Sequence, residues 1–189
     1  MLGAFLCGLV LVFAAILVVS GRSPSPIGPA VAAVGGPFHL QDQNGKLVSD
    51  ADMKGRPFLV FFGFTHCPDV CPTTLFDISE VLKGLGRDAD RTGALFITVD
   101  PERDTPAVLK DYLANFDPHL RGLTGDPAAV QAALKVYRVY AKKVPLQGDD
   151  YTMDHTAVVY LMDKDGRFVA PFNLKRTPEA AADELRRYL

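Results

Sequence analysis

The chain has 189 residues and a formal net charge of −2, with 48% hydrophobic and 22% charged side chains. That is enough apolar material for one sizeable core, and no Lys/Arg-rich stretch of any length is present. Nucleic-acid binding gains no support from that composition.

Leu2 to Val19 carry no charged or strongly polar side chain. As a helix this span is about 27 Å long, roughly one bilayer core. Residues 1–20 therefore read as an uncleaved N-terminal transmembrane helix, with Cys7 as an apolar lipid-facing residue. No Lys or Arg precedes the span, and Arg22 beyond it slightly favours the opposite topology. Val18-Val19-Ser20 also reads as a cleavage site, which leaves a processed signal as the alternative. Residues 21–36, dense in Pro, Gly, Ala and Ser, form a flexible tether. Residues 37–189 have the size of one domain.

Within that domain Phe38-His39-Leu40 and Lys46-Leu47-Val48 flank an Asn44-Gly45 turn, which predicts a hairpin. Asp52 to Pro57 is a polar connection. Phe58 to Phe64 is a continuous apolar run, fitting a strand buried on both faces. A helix follows with Leu75, Ile78, Val81 and Leu82 on one face, stopped by Gly84 and Gly86. Ala94 to Val99 is a second buried strand. Thr105 and Pro106 open the next helix, whose apolar face is Val108, Leu109, Tyr112, Leu113 and Phe116. Asp126-Pro127 opens another helix through about Tyr137. Thr156 to Met162 and Arg167 to Phe172 are predicted as a second hairpin, and Thr177-Pro178 caps a final helix. The order is hairpin, β, α, β, α, α, β, β, α. A parallel βαβ unit, an antiparallel hairpin and a closing helix make a thioredoxin-like α/β fold.

The chemistry sits between the first buried strand and its helix. Cys67 and Cys71 are spaced Cys-x-x-x-Cys, each followed by proline, with Cys67 in the loop and Cys71 at the helix start. A thiol near a helix N-terminus feels the positive end of the dipole, which lowers its pKa and favours thiolate. Buried inert cysteines and a permanent structural disulfide are the bland alternatives. The flanking Pro, Asp and His favour thiol or metal chemistry.

Three stretches carry a resemblance to a known family. They are Gly63 to Pro72 (Gly-Phe-Thr-His-Cys-Pro-Asp-Val-Cys-Pro), Val99 to Pro106 (Val-Asp-Pro-Glu-Arg-Asp-Thr-Pro) and Asp154-His155-Thr156. Together they are similar to the Sco/SenC family of membrane-anchored, thioredoxin-like copper proteins that assist assembly of cytochrome c oxidase. The resemblance implies a copper site made by Cys67, Cys71 and His155. It also implies a soluble domain outside the inner membrane, in the periplasm or the mitochondrial intermembrane space. The implied partners are oxidase subunit II and other copper chaperones or thiol reductants.

The donor types agree with copper. Two thiolates and one imidazole suit Cu(I), and Cu(II) also ranks high in affinity, whereas structural zinc wants four ligands. His155 stands in the loop that faces the reactive cysteines in redoxins. His39 and His119 read as surface residues, and His66 as pointing away from its neighbour Cys67. Met153 is a weak extra ligand or a core residue. Asp69 and Asp154 either tune the site or orient His155, or are simply solvated. The charged loop Asp100 to Asp104 reads as a solvated turn, and the resemblance implies that it lies near the site as a partner-docking surface. The leading reading is a copper metallochaperone serving the CuA site of subunit II. The runner-up is a thiol–disulfide oxidoreductase acting through Cys67 and Cys71 on the same partner's cysteines. A peroxidase on the same fold would have no need of His155, and a copper sensor is the remaining class.

Overall fold

The computed structural model describes residues 33–189. The expected transmembrane helix and most of the tether lie outside these residues. Among the described residues no helix is long and apolar enough to cross a membrane.

The chain enters through the predicted hairpin, β1 (His39–Asp42) and β2 (Leu47–Ser49), paired antiparallel. Asp42 holds its turn: one carboxylate oxygen accepts the N–H groups of Asn44 and Lys46, and Gly45 takes the positive φ of 80°. The other oxygen accepts from Arg121 at 2.8 Å and ties the hairpin to the sheet. The polar connection that follows contains a 3-10 turn, Asp50–Met53, which buries Met53.

Strands β3 (Phe58–Gly63) and β4 (Gly93–Thr98) are buried at every position, as their unbroken apolar runs predict. They pair in parallel at the middle of a seven-stranded sheet of order β2-β1-β5-β4-β3-β8-β9, where β5 is Leu120–Thr124, β8 Val159–Met162 and β9 Phe168–Pro171. Helix α1 (Val70–Leu85) buries Leu75, Ile78, Val81 and Leu82. It runs through Gly84 and is capped by Gly86 alone, at φ 59°. Gly84 instead makes room for Ala182 of helix α4 (Pro178–Arg186), whose Cβ would lie 3.4 Å from an added Cβ. Helices α2 (Pro106–Leu113), α3 (Pro127–Tyr137) and α4 start as predicted. Thr105, Asp126 and Thr177 each accept the amide of the third residue on, and each is followed by proline. Successive strand residues face opposite sides, which places the helices. Phe61 meets Phe96, which meets Tyr112 of α2, while Phe62 meets Tyr137 of α3 on the other face.

Two features were not predicted. Strand β5 (Leu120–Thr124) lies parallel to β4, between α2 and α3. Its Leu-Arg-Gly-Leu-Thr has no clean period, and Gly122 is there because a Cβ would stand 2.6 Å from Leu113. A separate two-stranded sheet is formed by β6 (Ala141–Pro145) and β7 (Tyr151–His155). None of its positions is fully buried, so no buried-face pattern marks it in the sequence. The second predicted hairpin is β8 (Val159–Met162) with β9 (Phe168–Pro171). It starts later than expected, because residues 156–158 link it to β7.

Candidate metal centre

The site forms where α/β sheets generally place one, beyond the carboxyl ends of parallel strands. Strand β3 ends under Phe64, the chain turns at Thr65 and His66, and α1 begins two residues before Pro72. The turn is held from β4. Asp104, fully buried after that strand, accepts from Thr65 N–H at 3.1 Å, from Thr65 Oγ1 at 2.6 Å and from Thr98 Oγ1 at 2.6 Å. Burial pushes the Asp104 carboxyl above its ordinary range, against the threonine hydroxyls, which pull the other way.

Both thiols are free; Cys67 is half-buried and Cys71 fully buried. They differ in surroundings more than the spacing suggests. The Cys67 sulfur accepts the backbone N–H of Cys71 at 3.4 Å, so an amide of the first turn of α1 points at Cys67. The Cys71 sulfur lies beneath Gly63, where an added Cβ would be only 2.8 Å away. Burial pushes the Cys71 thiol up, which corrects the expectation that a thiol at the helix start is lowered. From the second helical position the side chain turns into the core, and lost hydration outweighs the dipole.

His155 ends β7 and brings its ring to this sulfur: Cys71 Sγ and His155 Nε2 are 3.8 Å apart. The Nδ1 atom is 3.1 Å from the carbonyl of Thr156. A carbonyl can only accept, so Nδ1 carries the proton and Nε2 presents its lone pair toward Cys71. Phe64 supports the ring edge-on at 5.8 Å. Nothing among the described residues stands between these two donors in the hydrogen-bond pattern, and a soft metal ion would be held by this sulfur and this nitrogen together. Among the described residues no three His, Cys, Asp or Glu side chains are already gathered around one point. The Cys67 sulfur stays close to Cys71: it accepts the Cys71 N–H, and beside burial it adds to the upward push on the Cys71 thiol.

The family model described as SCO1/SenC matches residues 28–189. The chain belongs to the SCO1/SenC family. A solved structure described as Bradyrhizobium japonicum ScoI with copper bound is 68% identical, with a TM-score of 0.82 over 83% of this chain and 100% of that one. A SCO2-like protein of Rickettsia felis is 38% identical over 155 residues, 81% of this chain and 76% of that protein. BsSco is 27% identical, with a TM-score of 0.66 over 86% of this chain and 96% of that one. It is described as having a disulfide switch and as a member of the Sco family of cytochrome c oxidase assembly proteins. This SCO1/SenC chain shares with these structures the thioredoxin-like α/β fold read from its element order.

The other candidates fall away from the Cys71–His155 pair. His66 is exposed, with Nδ1 3.1 Å from the hydroxyl of Thr65. His39 is exposed in β1. His119 is not simply a surface residue. It sits ahead of β5, at the sheet end opposite the cysteines, with Asp117 at 2.7 Å from Nδ1 and Asp90 at 3.1 Å from Nε2. Asp117 and then Asp90 raise its pKa, outweighing partial burial. Met153 packs against the core. Asp69 caps α1 without a side-chain hydrogen bond, and exposed Asp154 faces Lys142 across the β6–β7 ladder. The Thr156 carbonyl, not Asp154, fixes the imidazole.

Sequence reasoning missed Gly63, Thr65 and Asp104 as parts of the site. It treated the loop Asp100 to Asp104 as surface, yet Asp100 and Asp104 are both buried. The available signals were a charged loop straight after a strand buried on both faces and the two motif stretches, Gly63 to Pro72 and Val99 to Pro106, that contain these residues.

Proposed function

We propose that this chain is a copper metallochaperone that binds copper through Cys67, Cys71 and His155 and supports assembly of the CuA site of cytochrome c oxidase. The observation that carries the reading is the 3.8 Å approach of Cys71 Sγ and His155 Nε2, with the free Cys67 thiol beside them. Its relatives described as copper-bound and as oxidase assembly proteins support it. With Cys67 beside Cys71 the three residues offer a two-thiolate, one-imidazole set. Such a set suits Cu(I), and the imidazole extends it to Cu(II). Copper is cargo, so the ligands must also let go. Half-buried Cys67 is the ligand an acceptor thiolate of subunit II reaches first, and buried Cys71 is displaced last. The chain loaded with Cu(I) without oxygen should bind one copper, and the Cys67→Ser, Cys71→Ser double variant should bind none tightly. Stoichiometric copper in the double variant would place the site elsewhere.

A second reading is a thiol–disulfide oxidoreductase acting on the same partner's cysteines. It is favoured by two free thiols four positions apart, one accessible and one buried, the arrangement of an attacking and a resolving cysteine.

The apolar span Leu2 to Val19 supports an inner-membrane anchor, with the domain in the periplasm or the intermembrane space. Reporter fusions after Leu189 should be active only outside the cytoplasm. A mature N-terminus at Gly21 in the membrane fraction would refute the uncleaved anchor.

A further inference from the structure

We infer that Arg103 is a positioning residue that locks the His155-bearing hairpin against the cysteine loop and so sets the direction of the imidazole; the inference rests on the copper reading above. The β6–β7 sheet shares no ladder with the seven-stranded sheet. An isolated two-stranded hairpin is marginal in water, so its orientation must come from side-chain ties. Arg103 supplies the most direct of them. Its Nη1 donates to the carbonyl of Tyr151, the first residue of β7, at 2.9 Å. Its guanidinium lies 3.7 Å from the centre of the Tyr151 ring, and the Tyr151 hydroxyl donates to Asp100 Oδ1 at 2.8 Å. Arg103 Nε donates to Asp100 Oδ2 at 2.5 Å, and Asp100 is buried. The guanidinium also stands over the Phe64 ring, 6.0 Å from its centre, the ring that supports His155 edge-on. Arg103 therefore binds the strand that carries the histidine and lies over the wall the histidine rests on.

The arrangement needs arginine. A planar fork can stack on Tyr151 while hydrogen-bonding Asp100 and a carbonyl in different directions, whereas a lysine ammonium is a point charge that cannot. Arg103 Nη2 is buried with no partner among the described residues, a loss of hydration that stability alone would not favour. The same short loop also holds the cysteine side, through Asp104 and Thr65. One loop between β4 and α2 thus sets both halves of the site.

The test uses the detergent-solubilised full chain, titrated with Cu(II) and with Cu(I) without oxygen, beside thermal melting. Arg103→Gln should weaken Cu(II) by about 10- to 100-fold, the usual effect of removing an outer support of a metal ligand. The imidazole-nitrogen hyperfine coupling of bound Cu(II) should weaken with it. Cu(I), held mainly by two thiolates, should change less, and Arg103→Lys should fall between parent and Arg103→Gln. Tyr151→Leu, which keeps Arg103 and its bond to the carbonyl of residue 151 but removes the ring it stacks on and the hydroxyl that donates to Asp100, should reproduce part of the Cu(II) loss and covers the case in which Arg103→Gln does not fold. A lower Tm with parental Cu(II) affinity and nitrogen coupling in these variants would make Arg103 merely structural and overturn the inference. Absence of imidazole coupling in the copper-loaded parent would overturn the ligand assignment itself, and this inference with it.

Discussion

Replacing His155 with Ala should abolish the Cu(II) absorption of the chain and block oxidase assembly, while thiol–disulfide exchange stays within about tenfold of the parent. The variant removes one of three proposed ligands, the only one that is not a thiolate. Two thiolates can still hold Cu(I), though less well, but Cu(II) loses its imidazole. Disulfide exchange needs an attacking thiolate, a leaving thiol and access, and Cys67 and Cys71 supply these without the ring. The tenfold tolerance allows for a changed electrostatic surrounding of Cys71, whose sulfur faces the ring at 3.8 Å. The measurement is complementation of an oxidase-assembly defect at low copper, read beside the exchange rate of the same purified variant. Full rescue by His155→Ala would sink the copper reading and promote the redox one.

Gly63→Ala should damage both the fold and the site. The added methyl would stand 2.7 Å from the Phe96 ring and 2.8 Å from the Cys71 sulfur, both closer than real carbon contacts come. Neither neighbour is a flexible end at the surface: Phe96 and Cys71 are fully buried. Overpacking of this kind costs about 1–3 kcal/mol. For a domain of this size that is a Tm lower by roughly 2–12 °C. Because the displaced atom is a proposed ligand, copper affinity should fall as well, which a clash elsewhere in the core would not produce. Calorimetry and an anaerobic Cu(I) competition titration read the two effects. An unchanged Tm with unchanged affinity would mean that the strand relaxes around the methyl and that Gly63 is not required by the site.

Residue pattern carried much of this in advance, and where it failed the failures share a cause. β3 and β4 were legible because strands buried on both faces write unbroken apolar runs. The starts of α2, α3 and α4 were legible because capping is local, a Thr or Asp side chain reaching an amide three residues on. β5 and the β6–β7 hairpin were not. β5 is short and interrupted by Arg121 and Gly122, whose reasons lie in Asp42 and Leu113. The hairpin buries too little to leave an apolar period.

The same division runs through the site. By itself the sequence determined which candidate donors exist, since Cys67, Cys71 and His155 stand out by type and by the motifs around them, and it determined that the cysteines follow a buried strand. Only the tertiary structure decided how the donors differ: Cys71 goes under Gly63 and faces His155 Nε2, while Cys67 stays half-exposed against the helix amide. Only it decided that Asp104 is a buried anchor for Thr65 and that Arg103 bridges to Tyr151. The physical reason is range. Capping, turns and strand burial depend on neighbours within a few residues, whereas burial of a thiol and the direction of an imidazole depend on groups dozens of positions away, which meet only when the sheet has formed.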